Sequence, residues 1–451
     1  MSTIASIATP VGTGAIGMIR LSGSDSISIA EGIFCAYNNN TRLGDIPGYS
    51  GVLGRLMRGQ EPLDEVVVFI YRAPKSYTGE DIVEICCHGG AYLVKEALRL
   101  CLSAGARPAL PGEFTKRAFL AGKMNIAQAE AIQDLIMAQS EGARKAAFAA
   151  KGGVLSTAIG FLVEEITAQS AYLAAWIDYP DEDIAEVNRD EIKNTLVDCK
   201  GSIEGLLSSY DRGRIIRDGI SVTIAGKPNV GKSTLMNLLA GENRSIVTDI
   251  PGTTRDVVEE RIAIGDHMLI LCDTAGICDS ADLVENKGIE LARDKIQSSE
   301  LVLAVFDGSS PLDNDDEGII ELLNGERSIT IINKSDLPQK IDAARIAQNA
   351  VRISAATGSG RDELEAAILS ALSLYSFDAS APIVANERQR SCLIAARDSL
   401  GQAIDSIDSG ITLDAVCVCI DEALDSLLAL TGQSAGEKVI DEVFARFCVG
   451  K

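Results

Sequence analysis

The chain has 451 residues, 46% of them hydrophobic and 23% charged, which is the composition of an ordinary globular protein with length for about three domains. Its formal net charge of −23 argues against broad nonspecific binding of nucleic acid, because that affinity comes mainly from cations that neutralise phosphates. Two histidines, and eleven cysteines without a repeated spacing, disfavour a zinc or iron centre, and we expect the cysteines to be reduced core residues.

The N-terminal stretch MSTIASIATPVGTG lacks the basic region and long apolar segment of a secretory signal. No apolar run in the chain approaches the roughly 18 residues that cross a bilayer. We therefore expect a cytoplasmic protein with no membrane partner. Residues 1–118 mix extended apolar runs such as GAIGMIRLSG and EVVVFIYRA with glycine turns and one helical stretch, AYLVKEALRLCLSAG, which predicts an α+β domain.

From residue 119 to about Tyr210 the apolar residues recur three and four apart, which predicts helices, and the first part of a helical domain is placed at residues 119–217. Residues 218–376 alternate short strands such as ISVTIAG and LVLAVFD with helical stretches, which is typical of a mainly parallel α/β sheet. Helices return in residues 377–451. The simplest interpretation is one helical domain interrupted by an inserted α/β domain, and two unrelated helical domains are the alternative.

A phosphate-binding loop is predicted at residues 226–233, where GKPNVGKS fits G-x-x-x-x-G-K-S directly after the strand ISVTIAG and before a helix. Glycines let the backbone aim its N–H groups at phosphate oxygens, and the helix N-terminus adds positive dipole. Lys232 would reach the β and γ phosphates, and Ser233 would offer its hydroxyl to Mg²⁺.

Three later motifs select guanine over adenine. DTAG at residues 273–276 follows a strand and places a carboxylate near the metal. NKSD at residues 333–336 ends another strand, and the Asp336 carboxylate can accept both N–H groups on the edge of guanine. SAATG at residues 354–358 can turn backbone N–H groups toward the guanine carbonyl. In this order the motifs predict GTP.

The loop TDIPGTTRD, residues 248–256, occupies the place of the first switch. Thr254 is the better candidate for the second hydroxyl on Mg²⁺, and Thr253 competes with it. The predicted GTP-binding residues are therefore Asn229, Val230, Gly231, Lys232, Ser233, Thr234, Thr248, Asp249, Ile250, Pro251, Gly252, Thr253, Thr254, Asp273, Thr274, Ala275, Gly276, Asn333, Lys334, Asp336, Ser354, Ala355 and Ala356.

The glutamine that orients the attacking water in Ras-like enzymes is missing, since Ile277 follows DTAG. The side-chain oxygen of Asn229 and the backbone carbonyls of residues 248–253 can instead hold a monovalent cation against the phosphates, and Arg255 is the competing source of positive charge. Activation of water then needs an acid farther along the chain. Position alone does not choose among Asp279, Asp282 and Glu285.

The whole chain resembles the MnmE (TrmE) family of bacterial and organellar tRNA-modification GTPases. The resemblance is carried by ATPVGTGAIGMIRLSG, PKSYTGEDIVEICCHGG, PGEFTKRAFLAGKMNIAQAEAIQDLI, the order of the GTP motifs and the final C-x-G-K. It implies a multidomain protein with an α+β N-terminal domain similar to tetrahydrofolate-binding domains, which also forms a homodimer. It further implies an α-helical domain built from both sides of an inserted α/β Ras-like P-loop G domain.

The same resemblance implies roles for residues of the G domain. Potassium would be held by Asn229, Thr248, Ile250 and Thr253, and Mg²⁺ by Ser233 and Thr254. Glu285 would activate water, and two G domains would pair across the nucleotide. Cys278 stands where many relatives carry an arginine, so a switch contact made by that arginine is not expected here.

The family's folate contacts correspond to Arg20, Glu80 and Lys123, with Lys451 adding a charge from the final C-x-G-K. A carboxylate suits the N–H groups of a pterin, and cations suit a glutamate tail. Without the resemblance, the first three would be interpreted as a strand-end charge, a turn acid and a solvated lysine. Cys448 would lie near the one-carbon chemistry, and its alternative role is that of a small buried hydrophobe.

The function that the resemblance implies is a potassium-dependent GTPase working with an FAD-dependent protein of the MnmG (GidA) type in a heterotetramer. Together they would add an aminomethyl or carboxymethylaminomethyl group to C5 of the wobble uridine of certain tRNAs. The one-carbon unit would come from a 5-formyl- or methylene-tetrahydrofolate. An Era- or Der-like ribosome-assembly GTPase, and a folate- or potassium-sensing switch without chemistry, are the alternatives. Residues 212–217, RGRIIR, are a basic candidate for tRNA contact, with a charged linker as the favoured interpretation.

Overall fold

The computed structural model describes residues 2–10, 12–38, 40–178, 188–241, 259–273, 293–323, 327–346, 349–372, 378, 381–448 and 450. The chain divides into two compact units. The first consists of Met1–Gln133, Ile159–Cys199 and Ala395–Lys451, and the second of Asp134–Ala158 and Lys200–Ile394.

The order of an α+β segment, helices, an α/β segment and helices follows the prediction, but residues 1–118 contain the helix Ser26–Ile33 and the start of the helix Glu113–Leu120 besides the one helical stretch expected there. The strands are β1 (Ile4–Ile7), β2 (Ile16–Ser22), β3 (Phe34–Ala36), β4 (Ser50–Arg58), β5 (Glu61–Tyr71), β6 (Ile82–His88), β7 (Arg107–Pro108), β8 (Ile220–Ala225), β9 (Glu259–Ile264), β10 (His267–Asp273), β11 (Leu301–Asp307), β12 (Ser328–Asn333) and β13 (Val351–Arg352). The helices are α1 (Ser26–Ile33), α2 (Ala91–Ser103), α3 (Glu113–Leu120), α4 (Ile126–Met137), α5 (Glu141–Lys151), α6 (Val154–Asp178), α7 (Arg189–Ser208), α8 (Tyr210–Asp218), α9 (Lys232–Ala240), α10 (Asn314–Leu322), α11 (Arg361–Leu372), α12 (Glu387–Asp408), α13 (Leu413–Thr431) and α14 (Glu437–Ala445).

The first unit contains a seven-stranded sheet in the order β3-β4-β5-β6-β2-β1-β7. All neighbours in it are antiparallel except the short parallel pair β1 and β7. Helices α1 and α2 cover this sheet with residues such as Ile29 and Val94, which are buried with the inward side chains of the strands. Gly17 on β2 permits this packing, because a Cβ at Gly17 would clash with Val94.

A second cluster of the first unit is aromatic. Phe119 at the end of α3 stacks near Phe444 of α14, and Phe444 lies 5.3 Å from Phe447, centroid to centroid. Gly112 begins α3 with a left-handed φ of 66°, and a Cβ there would clash with the carbonyl of Phe444. Helix α3 therefore approaches α14 closely only because position 112 is glycine.

The second unit contains a six-stranded sheet in the order β13-β12-β11-β8-β10-β9. The strands from β13 to β10 are parallel, and β9 pairs antiparallel with β10 at the edge. Parallel strands of this kind are covered on both faces, so their sequences are continuous apolar runs. Strand β11, LVLAVFD, is an example in which every residue except Asp307 is buried. The two sheets and the helices confirm the predicted multidomain class, with an α+β domain, helices and a Ras-like α/β domain.

Two expectations from the sequence were wrong. RGRIIR is not a linker, because residues 212–217 lie inside α8, where Ile215 and Ile216 are buried. The cysteines that the structure describes are free, as expected, but Cys35 and Cys448 are exposed rather than in the core. Cys35 is at the middle of the edge strand β3, where side chains alternate between the two faces of the sheet.

Within the described residues, no single helix is long and apolar enough to cross a membrane. Two helices joined at a bend, Glu141–Lys151 and Val154–Ile177, meet the criteria of length and composition when they are taken together. The same residues contain no cluster of three or more His, Cys, Asp or Glu side chains arranged to hold a metal ion.

Candidate functional site

The phosphate loop joins the end of β8 to the start of α9. Two of its residues have a left-handed backbone, Asn229 with φ of 64° and Gly231 with φ of 102°. The loop therefore turns sharply before Lys232, where α9 begins, and the first N–H groups of a helix have no partner within the helix, so they can bind an anion. The side chain of Lys232 is buried, and its Nζ donates to the carbonyls of Gly226 at 2.6 Å and Lys227 at 3.0 Å.

Asn333 holds the phosphate loop to the segment that follows β13. Its Nδ2 donates to the carbonyl of Val230 at 2.8 Å, and its Oδ1 accepts from the N–H of Ala355 at 2.9 Å. The side chain is 3% exposed, so both bonds are shielded from water. A Cβ at Gly231 would clash with Nδ2 of Asn333, which explains a glycine at that point of the loop.

Lys334 makes the second connection. Its backbone has a positive φ of 62°, and its Nζ donates to the carbonyl of Asn229 at 2.9 Å and to Oδ2 of Asp307 at 2.6 Å. Burial alone would raise the pKa of Asp307, but the hydrogen bonds from Lys334 and Ser309 outweigh it and hold that pKa below its ordinary value. Asp307 is therefore ionised at neutral pH and keeps Lys334 in place.

These residues meet because the parallel strands β8, β10, β11 and β12 end at one edge of the sheet. Ser233, Thr234 and Asp336 are exposed at this edge, whereas Asn333, Ser354 and Ala355 are buried behind it. The buried residues therefore set the shape of the site, and the exposed ones are accessible to a ligand.

The first unit carries a separate polar cluster on one face of its sheet. Arg20 of β2 donates from Nε to Glu84 Oε1 at 2.8 Å and from Nη1 to the carbonyl of Gly450 at 3.3 Å. Its guanidinium also lies over the rings of Tyr77 and Phe114, at 6.0 and 5.8 Å from their centroids.

Glu80 belongs to the same cluster. Its Oε2 accepts from Ser22 Oγ at 2.7 Å and from Arg117 Nη1 at 2.8 Å. Ser22 and Arg20 are two residues apart on β2, so they lie on the same face of the sheet. Arg117 is only 4% exposed and also donates from Nη2 to Glu113 Oε1 at 3.1 Å, so Glu80 is held by a buried cation.

Lys123 lies close to this face. Its Nζ donates to the carbonyl of Pro74 at 2.6 Å, and its Cε lies 3.5 Å from the place where a Cβ on Gly79 would be. Cys448 is exposed, and its carbonyl accepts from the N–H of Gly112 at 3.4 Å. Arg20, Glu80, Lys123 and the segment of Cys448 and Gly450 are thus parts of one neighbourhood in the first unit.

Comparison with known proteins covers both units. A family model described as the GTP-binding protein TrmE N-terminus matches residues 3–123, and one described as the MnmE helical domain matches residues 126–448. The tRNA modification GTPase MnmE of Carboxydothermus hydrogenoformans is 41% identical over 458 residues, covering 100% of this chain and 99% of the relative. That of Thermotoga petrophila is 42% identical, with 100% of both chains covered.

The chain belongs to the MnmE family. Among solved structures, the G domain of the Thermotoga maritima FeoB iron transporter is 26% identical and covers 34% of this chain and 98% of its own, with a TM-score of 0.25. The family membership confirms the resemblance on which the sequence analysis relied.

Several residues that the sequence singled out, from the motifs or from the MnmE pattern, lie outside the described residues. They are Thr248, Asp249, Ile250, Pro251, Gly252, Thr253, Thr254, Arg255, Thr274, Ala275, Gly276, Ile277, Cys278, Asp279, Asp282, Glu285 and Lys451. The backbone of Asp273 is described at the end of β10, next to the end of β8.

Sequence reasoning missed several residues of the two sites. The ion pairs of the N-terminal cluster are made by Glu84, Arg117 and Glu113. In the nucleotide site, Asp307 pairs with Lys334. One signal was available in PGEFTKRAF, because Glu113 and Arg117 stand four apart on a helix, the spacing at which side chains pair. The partners Glu80 and Asp307 are distant in sequence and gave no such signal.

Proposed function

We propose that this chain binds and hydrolyses GTP as an enzyme of tRNA modification. The observation that carries this proposal is the connection of all three described nucleotide motifs by Asn333 and Lys334, which bind carbonyls of the phosphate loop and the N–H of Ala355. Full-length relatives described as tRNA modification GTPases support it. We infer a G domain at residues 218–376, with the other domain boundaries as predicted from the sequence; the position of strands β8 to β13 inside this range supports the inference.

In the proposed reaction, Lys232 leaves the carbonyls of Gly226 and Lys227 and reaches the β and γ phosphates. Asp336 accepts the two N–H groups of guanine, and the SAATG backbone, fixed through Asn333, donates to its carbonyl. Asp336 thus provides the specificity for guanine, and Asn333 holds the SAATG backbone in position before the ligand arrives.

Magnesium would be held by Ser233 and Thr254, and potassium by Asn229, Thr248, Ile250 and Thr253. The described residues fit a cation: Ser233 is exposed on the first turn of α9, and the exposed amide of Asn229 sits on a loop whose backbone is held by Lys334. The two cations would supply positive charge next to the phosphates. Glu285 would orient water, and pairing of two G domains would complete the site.

Specificity for guanine gives a sharp test of the nucleotide site. Asp336→Asn replaces an acceptor with a donor, so this variant should lose GTP hydrolysis and gain hydrolysis of xanthosine triphosphate, which carries a carbonyl in place of the amino group. Asp315→Asn, a change of the same kind at an exposed position on α10, should behave as wild type. Unaltered GTP preference in Asp336→Asn would remove Asp336 from the site.

The cation role is tested by salt. Hydrolysis should be much faster in KCl than in NaCl at equal ionic strength, and Asn229→Ala should abolish the difference while leaving residual activity. Equal wild-type rates in the two salts would show that no monovalent cation acts at the phosphates.

The N-terminal cluster suits a tetrahydrofolate derivative, 5-formyl- or methylene-tetrahydrofolate. Ser22 and Arg117 both bind Oε2 of Glu80, and among the described residues no partner occupies Oε1, so that oxygen can accept from a pterin. Arg20, Lys123 and Lys451 would bind the carboxylates of the glutamate tail. Calorimetric titration with 5-formyl-tetrahydrofolate should show at least tenfold weaker binding by Glu80→Gln, with Glu61→Gln, 79% exposed, as the matched control.

We further propose that the chain acts in the cytoplasm, without a membrane partner, as a homodimer joined through the N-terminal domain. With an FAD-dependent protein of the MnmG (GidA) type it would form a heterotetramer that modifies C5 of the wobble uridine of certain tRNAs. Cys448 would act near the folate. Cells that carry Cys448→Ser should contain tRNA with unmodified uridine, although the purified variant still hydrolyses GTP. Mass analysis that finds normal tRNA would exclude a chemical role for this thiol.

A further inference from the structure

The phosphate loop contains a second lysine, Lys227, to which none of the GTP motifs assigns a role. Its Nζ donates to Asp313 Oδ2 at 2.7 Å and to Asp316 Oδ2 at 2.8 Å. The side chain of Lys227 is 15% exposed, and that of Asp316 is 3% exposed. The pair of Lys227 with Asp316 is therefore largely buried, whereas the Asp313 side chain is 53% exposed, and the two contacts connect the phosphate loop to the start of α10.

The two acids are themselves fixed by the backbone of α10. Asp313 Oδ1 accepts from the N–H of Asp316 at 3.1 Å, and Asp316 Oδ2 accepts from the N–H of Asp313 at 3.2 Å, which makes a capping box. The other oxygen of Asp316 is buried and has no hydrogen-bond partner among the described residues. The Asp316 carboxylate thus depends on Lys227 for most of the charge that compensates its burial.

The electrostatics agree with this geometry. Burial opposes the charge on Lys227, but the hydrogen bonds to Asp313 and Asp316 outweigh burial and raise the pKa of its ammonium group above the ordinary value. The hydrogen bond from Lys227 in turn lowers the pKa of Asp313. Lys227 and Asp313 are therefore charged at neutral pH.

The place of Lys227 in the loop links this contact to the nucleotide site. The carbonyl of Lys227 accepts a hydrogen bond from Nζ of Lys232. Two and three residues later, the carbonyls of Asn229 and Val230 accept from the side chains of Lys334 and Asn333. The loop is thus held at three points between β8 and α9. Two holding points come from the guanine motif, and the third comes from α10, which carries none of the GTP motifs.

We propose that Lys227 is a positioning residue for nucleotide binding, with Asp313 and Asp316 as its anchor. The anchor holds the phosphate loop in its binding shape before GTP arrives, so that less backbone freedom is lost on binding. This inference rests on the proposed GTP-binding function. GTP and GDP share the phosphates that the loop surrounds, so the anchor strengthens the binding of both and leaves the chemical step alone.

The test uses the full chain and two readouts. Fluorescence titration with mant-GDP and mant-GTPγS measures affinity, and steady-state hydrolysis separates KM from kcat. Lys227→Met should weaken both nucleotides by about tenfold and raise KM similarly, with kcat within about twofold. Lys227→Arg keeps the charge and should recover most of the affinity.

Two further variants separate positioning from general damage. Asp313→Asn keeps a good N-cap residue but loses one anion, so α10 should remain folded while mant-GDP binds about threefold more weakly. Arg345→Met removes another ion pair of α10, that with Glu317 at 2.7 Å, and should bind as wild type. Thermal unfolding of each variant reports whether it is folded.

The possible results distinguish a failure of the Lys227 anchor from a failure of the proposed GTP-binding function. Wild-type affinity in folded Lys227→Met, or a loss of kcat without a change in affinity, would overturn the anchor. Equal weakening by Arg345→Met would show that any loosening of α10 suffices and would overturn it too. A wild-type chain that does not bind mant-GDP would overturn the proposed function and the anchor with it.

Discussion

Replacement of Asn333 tests the central contact of the nucleotide site. Asn333→Ala removes the donor to the carbonyl of Val230 and the acceptor for the N–H of Ala355, so both backbone groups lose their partner. Asn333 is only 3% exposed, so water does not readily replace either bond. A buried group that loses its hydrogen bond costs about 1–3 kcal/mol. Two such groups amount to about 2–6 kcal/mol, and water that enters the truncated site favours the lower half of that range.

This loss should be visible without nucleotide. For a domain of about 150–250 residues, each kcal/mol moves the melting temperature by about 2–4 °C, so a loss of about 2–4 kcal/mol in Asn333→Ala should lower the transition of the second unit by about 4–16 °C. The same substitution removes the hydrogen bond that holds the carbonyl of Val230 in the phosphate loop, and should weaken mant-GDP binding by at least tenfold. Asn314→Ala, at an exposed position on α10, is the control.

A second substitution separates the two hydrogen bonds. Asn333→Asp keeps an acceptor for Ala355 but sets a carboxylate against the carbonyl of Val230, and burial raises the pKa of such a carboxyl. Its destabilisation should therefore grow as the pH rises from about 4 through the raised pKa, since the folded state binds the proton more tightly than the unfolded state. An Asn333→Ala chain that melts and binds GDP as wild type does would refute the view that this side chain shapes the site.

Three further predictions concern other parts of the molecule. Arg117→Met removes the buried cation that Glu80 and Glu113 share, while Arg107 still pairs with Glu113, and should lower the free energy of unfolding of the first unit by about 3 kcal/mol, measured by denaturant titration; no change would contradict the buried network. NMR titration should show His88 with a pKa above the ordinary value, because it hydrogen-bonds Asp64, and His267 with a pKa below it, because it is half-buried. The stabilisation of the folded state by His88 is then present below about pH 6.5 and is lost as the pH rises through its raised pKa. Protonation of His267 below about pH 6.5 instead destabilises the folded state. Identical pKa values for the two histidines would contradict both explanations. Glu285→Gln should slow GTP hydrolysis more than it weakens GTP binding, and the reverse pattern would show that another acid orients water.

The sheet of the second unit was predictable because its strands are continuous apolar runs that end in recognisable motifs. ISVTIAG precedes the phosphate loop, and SITIIN ends in Asn333, so both the strands and their functional ends could be read from local sequence. The helical periodicity predicted α2 for the same reason.

The long-range partners could not be predicted in the same way. Asp307 and Lys334 are 27 residues apart, and Glu80 and Arg117 are 37 apart, and neither pair has a periodic signal. Helix α8 was missed because its charged residues dominate RGRIIR, while the two isoleucines that fix it become informative only when a packing partner is known. Tertiary packing decides such cases, and propensity does not.

The final C-x-G-K shows how a motif can combine steric and chemical causes. Gly450 has φ of 103°, and a Cβ at this residue would clash with the carbonyl of Ile7, so glycine is required where the segment meets β1. The carbonyl of Gly450 accepts from Arg20, which Glu84 orients, and the carbonyl of Cys448 accepts from Gly112. Among the described residues, backbone carbonyls make the hydrogen bonds that hold the segment, and Cys448 is exposed. Cys448→Ser should therefore leave these backbone contacts intact, so this variant tests the proposed chemical role of the thiol without undocking the segment.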